Sequence, residues 1–133
     1  MRIVLWILQV VLAALFMGHG WLFIAPPAEM AALMDGHVPP AVRTFIGMAE
    51  VLGALGLIVP GMTRIVPWLT VLAAAGLMIV VGSATLFHLL RGEIGSAAAT
   101  AILCALVTCV AYMRWKVKPL PPGRRAKLSR AAL

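Results

Sequence analysis

Four apolar runs, residues 3–24, 44–59, 65–90 and 94–113, account for most of this chain. A helix rising 1.5 Å per residue needs about 20 apolar residues to cross the hydrocarbon core of a bilayer. Lipid offers the backbone no hydrogen bonds, so a run of that length has to satisfy itself as a helix. The second run is short, and it spans by drawing on Val42 at one end and on Pro60, Gly61 and Met62 at the other. A chain that is 63% hydrophobic and only 11% charged, with a mean hydropathy of +1.06, belongs with integral membrane proteins rather than soluble domains. The turn around Pro60–Gly61 and the Arg91-Gly92-Glu93 connection are both short and force antiparallel neighbours. The expected fold is therefore an all-α integral membrane protein, an up-down-up-down bundle of four transmembrane helices. Residues 1–118 form that domain, and residues 119–133 form a basic cytoplasmic tail.

The first run has features of a secretory signal, since Arg2 precedes a long apolar core. The core is longer than such a signal needs, however, and no small-x-small site precedes Pro26 and Pro27, so it reads as a retained helix. The distribution of basic residues gives the orientation. Seven of the eleven basic residues, Arg114, Lys116, Lys118, Arg124, Arg125, Lys127 and Arg130, follow the last run. A juxtamembrane cationic cluster is a cytoplasmic anchor beside anionic lipid, and this pattern argues against nucleic acid as a partner. With four spans both termini are then cytoplasmic. Arg2 and Arg64 join the inner set, and only Arg43 and Arg91 fall outside. The expected location is a membrane whose cytoplasmic face carries both termini.

One long connection, residues 25–43, lies on the outer side under this topology. Pro27, Glu29 and Gly36 mark a short helix over about Ala28 to Met34, whose Met30, Leu33 and Met34 suit either a flap resting over the bundle or an ordinary hairpin link.

Glu50 is the only carboxylate inside an apolar run. A charge there costs about 2.5 to 3.5 kcal/mol on insertion scales, so Glu50 should face the bundle interior, find a partner or lose its charge. Helix geometry places His19 and Glu50 about 8 to 9 Å below the outer ends of their helices and Thr100 at a similar depth. His88 closes its helix under the same surface, with Thr85 one turn deeper and Arg91 beside it. Arg43 lies two turns above Glu50 on one face. Polar groups from all four helices thus share the outer half, and Glu50, His19, Thr85, His88, Arg43, Arg91 and Thr100 are the candidate ligand-binding residues. Glu50, His88 and His19 are the candidate acid/base groups.

Three readings fit this set. In a clasp, Glu50 bonds a histidine and fixes helix register. In a pocket, the same groups orient the polar end of a lipophilic small molecule, with acid/base catalysis as a special case. A metal or haem held by His19, His88 and Glu50 has the right donor types but no motif spacing, and no metal is assigned. Cys104 and Cys109 point about 140° apart on one helix, fit neither a disulfide nor a metal pattern, and read as apolar filler. Trp6, Trp21, Trp68 and Trp115 fall near helix ends as interfacial belt residues. Gln9 and Thr108 suit helix–helix hydrogen bonds.

The stretch 45–60 (FIGMAEVLGALGLIVP), the small-residue run around Ala73–Gly76 and the His88-Leu-Leu-Arg91-Gly92-Glu93 ending together resemble the DoxX-like family of small bacterial membrane proteins. The resemblance implies a four-helix membrane fold. It also implies relatives such as the small subunit of an archaeal thiosulfate:quinone oxidoreductase, and it carries the family's recurring glutamate to Glu50 and its histidine to His88. A lipophilic ligand such as a quinone, a haem as the other cofactor type, and a homo-oligomer or a redox partner protein are the company this implies beside the bilayer itself. The chain has no paired-cysteine motif, which argues against a thiol-redox role. The reading that results is a redox-associated or accessory protein with an outer-half ligand pocket. A membrane isomerase using Glu50 stands as the alternative, and a proton-coupled exporter stands below it.

Overall fold

The computed structural model describes residues 2–64, 66 and 68–117. Five α-helices follow in order: α1 (Arg2–Ile24), α2 (Ala28–Asp35), α3 (Pro40–Thr63), α4 (Leu69–Leu90) and α5 (Ile94–Tyr112). A π-helical turn, Met113–Val117, continues α5. Four of these segments are long and apolar enough to cross a membrane, as the hydrophobic runs require. The second span, read from sequence as 44–59, is a 24-residue helix that starts at Pro40 and keeps Pro60 within its last turns. It ends where Arg64 adopts a left-handed backbone (φ 56°) and returns its N–H to the Pro60 carbonyl. The third span starts at Leu69 rather than Ile65, and Ile65 itself lies outside the described residues. The basic tail beyond Val117 also lies outside them.

Packing divides the bundle into two hairpins. α1 pairs most closely with α3 and α4 with α5; α3 and α4 join the hairpins, while α1 and α5 meet sparsely. The core runs along the bundle through Leu5, Leu12, Phe16, Leu57, Leu77, Val107 and Val110, all buried. Small residues set the helix separations. A Cβ on Gly47 would lie 2.6 Å from the Gly20 carbonyl oxygen, and one on Gly20 would lie 2.7 Å from that of Gly47. The α1 and α3 backbones therefore touch at the end of the bundle that carries α2. Gly56 meets Ala73 and Gly53 meets Leu77 in the same way across α3 and α4.

One sequence expectation needs correction here. Arg114 does not join the cationic anchor at the lipid surface: it is buried, its Nε donates to Gln9 Oε1 at 2.7 Å, a second bond runs from Nη2 to the same oxygen, and its guanidinium lies over the Trp6 ring. Gln9, also buried, donates in turn to the Leu57 carbonyl at 2.7 Å and so links α1, α3 and the turn after α5. The α2 helix has no buried residue, and Leu33 is among the most exposed apolar side chains.

The glycine crossing can be tested by stability. Gly47→Ala forces a methyl onto a backbone oxygen that has no rotamer with which to give way, and should cost about 1 to 3 kcal/mol. Gly18→Ala, where a Cβ meets nothing within 4 Å, should be neutral or slightly stabilising through helix propensity. Thermal melts in detergent compare the two; equal melting temperatures would show that the helices do not touch there.

Candidate functional site

The site is built where α1 and α3 cross. Arg43, Gly47 and Glu50 recur at helical spacing on the buried face of α3, and Gly20 on α1 admits that face to backbone contact. The close approach brings Glu50 to His19: Nδ1 of the ring lies 2.6 Å from Oε2 of the carboxyl. The two side chains differ sharply in exposure. That of Glu50 is 6% exposed and that of His19 is 52% exposed. Phe23, one turn further along α1, stacks beside the imidazole with ring centroids 4.4 Å apart. A buried carboxyl fixing Nδ1 sets the tilt of the ring and leaves Nε2 on the open side, where it can donate or accept one hydrogen bond.

Arg43 serves the same crossing from above. Its Nη1 donates to the Phe23 carbonyl at 3.2 Å, one of the acceptors that the last turn of α1 leaves without an intrahelical partner. Its Nε lies 3.3 Å from Asp35 at the end of α2. The residue therefore ties α1, α2 and α3 together and does not reach the Glu50 carboxyl through any of these bonds.

The other candidates form separate groups. His88 does not bond Glu50. Its Nδ1 lies 2.6 Å from Glu93 Oε2, and Arg91 Nε donates to Glu93 Oε1 at 2.7 Å, which closes the α4–α5 connection as a three-residue ring with Arg91 also over Phe87. His88, only five residues from Glu93 across a tight turn, takes the local carboxylate instead of one on another helix. Thr85 and Thr100 do meet, their hydroxyl oxygens 3.0 Å apart, but each also lies within reach of a carbonyl of its own helix, so they clasp α4 to α5. The expected single constellation is thus three clusters, and in the Glu50–His19 pair a buried carboxyl meets an open imidazole. With His19 and His88 engaged by different carboxylates, the three do not converge on one metal position, and among the described residues no group of three or more such side chains could hold a metal ion.

Among the described residues, two open surface grooves stand out. One, about 280 Å³, lies between α3 and α4 beside Gly53, Gly56, Ala73 and Gly76, and the other, about 460 Å³, lies between α4 and α5 beside Gly82, Thr85 and Cys104. Neither is lined by Glu50 or His19. Both cysteines are free thiols. The polar link that sequence reasoning missed is Arg114 on Gln9. Its signal was present, since Gln9 lies on the same half of the bundle as the end of the last run and Arg114 directly continues that run.

A profile of the DoxX-like family matches residues 7–110, from the first turns of α1 almost to the end of α5. The chain belongs to the DoxX-like family. No curated protein and no solved structure matches it. Together with four membrane-crossing helices, the match makes this DoxX-like protein a multi-pass integral membrane protein. The Glu50–His19 pair and the His88–Glu93 ring both lie inside the matched region.

The ring at the α4–α5 turn yields a pH prediction. The hydrogen bond from Arg91, and after it that from His88, holds the Glu93 carboxyl below its ordinary value of 4.5. A depressed carboxyl contributes to stability above its unfolded value and loses that contribution as the pH falls through the lower folded value. NMR titration of the Glu93 side-chain carboxyl should give a midpoint below 4.5 that moves upward in Arg91→Ala. An unshifted midpoint in the wild type would show that the ring does not form in solution.

Proposed function

We propose that this DoxX-like protein binds a lipophilic small molecule, a quinone foremost, at the Glu50–His19 pair, as an accessory component of a redox system in the bacterial inner membrane. The observation that carries the reading is the division of exposure across one 2.6 Å hydrogen bond: the carboxyl is buried and the imidazole faces outward. A residue pair kept only for packing would gain from burying both partners, whereas a ligand needs one polar edge within reach. His19 Nε2 offers one hydrogen bond to a carbonyl or hydroxyl, and Phe23 beside it offers an aromatic face to a flat head group. The pair can hold a proton on either partner and pass it to or from the ligand, which suits a molecule whose oxygens gain or lose protons with electrons.

Positive-inside topology supports cytoplasmic termini and so places the pair in the periplasmic half of the membrane. The family resemblance, which implies relatives such as a quinone-linked oxidoreductase subunit, points to the same ligand class and to a redox partner protein. Within this site Glu50 and His19 carry the ligand contact, Arg43 positions α1 against α3, and His88, Arg91, Thr85 and Thr100 brace the second hairpin.

The test is thermal melting in lipid nanodiscs with a short-chain ubiquinone analogue. Saturation at about a hundredfold excess over Kd stabilises the wild type by about 2.7 kcal/mol, a shift of several degrees in Tm. His19→Ala and Glu50→Gln should lose most of that shift, and His88→Ala should keep it. If the wild type shows no shift while Glu50→Ala destabilises the protein strongly, the pair is a structural clasp and the ligand reading fails.

A further inference from the structure

Helical spacing places Ser96, Ala99, Leu103, Val107, Val110 and Arg114 along one stripe of α5, three or four residues apart. Burial changes steadily along it. Arg114, Val110 and Val107 are buried, Leu103 is half-buried, and Ala99 and Ser96 are exposed. The matching stripe of α1 behaves alike: Leu5, Gln9, Leu12 and Phe16 are buried, while His19, the next position on it, is open. Both stripes lose their cover toward the same end, the one that carries α2. At that end α1 is locked to α3 by Gly20 and Gly47, and at the other end α1 is held to the turn after α5 by Gln9 and Arg114.

We infer that α1 and α5 part toward the α2 end and leave a cleft open to the lipid, through which a membrane-dissolved molecule reaches Glu50 and His19 sideways, with Ser96 and Ala99 as its far wall. The cleft follows from burial alone, and its use by a ligand rests on the reading above. Its occupant has an apolar body, since the walls are alanine, phenylalanine and backbone, and one hydrogen-bonding head, since His19 and the Ser96 hydroxyl are the polar groups exposed along the two stripes. Small side chains on the α5 wall set the width. Ala99 therefore decides how bulky a head group can pass.

Dicyclohexylcarbodiimide, a membrane-soluble carboxyl reagent, tests this without any quinone. The protonated carboxyl adds across the reagent: its oxygen bonds the central carbon, its proton goes to nitrogen, and the acyl group then migrates to nitrogen as a stable acylurea with no atom lost. In proteoliposomes, mass spectrometry should find Glu50 labelled. Ala99→Trp, which puts a large ring into the cleft, should slow that labelling at least about tenfold while leaving Tm unchanged. Ala98→Trp, also exposed but turned about 100° round α5 from Ala99 and away from the stripe, should label at the wild-type rate. Three results would overturn the cleft: no labelling of Glu50 anywhere between about pH 5 and 8, equal rates in the two tryptophan variants, or loss of the fold in both Ala99→Trp and the smaller Ala99→Leu. Labelling that obeys the prediction in a protein that binds no quinone would instead retain the cleft and remove the proposed ligand.

Discussion

Hydrocarbon gives a polar group nothing to bond to, and the arrangement of this bundle follows from how each such group finds a partner. Glu50 takes His19, Gln9 takes the Leu57 carbonyl and Arg114, and Arg43 takes the end of α1. Thr63, Ser83, Thr85 and Thr108 return their hydroxyls to the carbonyl one turn back in their own helices. Among the described residues two buried atoms are exceptions with no hydrogen-bond partner, the Thr70 hydroxyl and Arg43 Nε, the latter with only the Asp35 carboxylate 3.3 Å away. Interhelical polar bonds in membranes are each worth only about 0.6 to 2 kcal/mol, so they do not by themselves hold the helices together. Their role is selective: a register that left the Glu50 carboxyl facing acyl chains would forfeit the bond and keep the desolvation cost.

Close backbone contact makes that selection possible. Were Gly20 or Gly47 any larger, α1 and α3 would separate, and a 2.6 Å bond between side chains as short as those of His19 and Glu50 could not close. Glycine thus determines the chemistry at one remove. It contributes no functional group, yet it fixes the distance over which the functional groups act.

Most of the fold was legible in the apolar runs, because a bilayer of fixed thickness converts hydropathy into helix count and length. The Glu50–His19 pair was legible as one of two options, since depth along a helix follows from residue number. What depth could not show was azimuth. His88 lies near the same level as His19, but a carboxylate five residues away at the α4–α5 turn competes for it at little conformational cost, and a glutamate on another hairpin loses that competition. Arg114 was misread for a related reason. Its position after the last run suggested a side chain reaching for anionic headgroups, whereas the Gln9 amide and the Trp6 ring offered an interior alternative that only three-dimensional packing reveals. In α2, methionine and leucine spacing marks an apolar face without stating whether protein or lipid covers it.

The division into two hairpins bears on how the chain reaches its final state. Hydrogen bonds between helices fall inside one hairpin or the other: His19 with Glu50, Gln9 with Leu57 and Arg43 with Phe23 in the first, and Thr85 with Thr100 and Cys104 with the Met78 carbonyl in the second. The bonds from Arg114 to Gln9 pass between them. Each hairpin can therefore enter the bilayer as synthesis delivers it, with its costly groups already matched and no need to wait for the other. The guanidinium at the end of the last span then acts as the final fastener, joining two finished halves only once the whole membrane domain has been inserted.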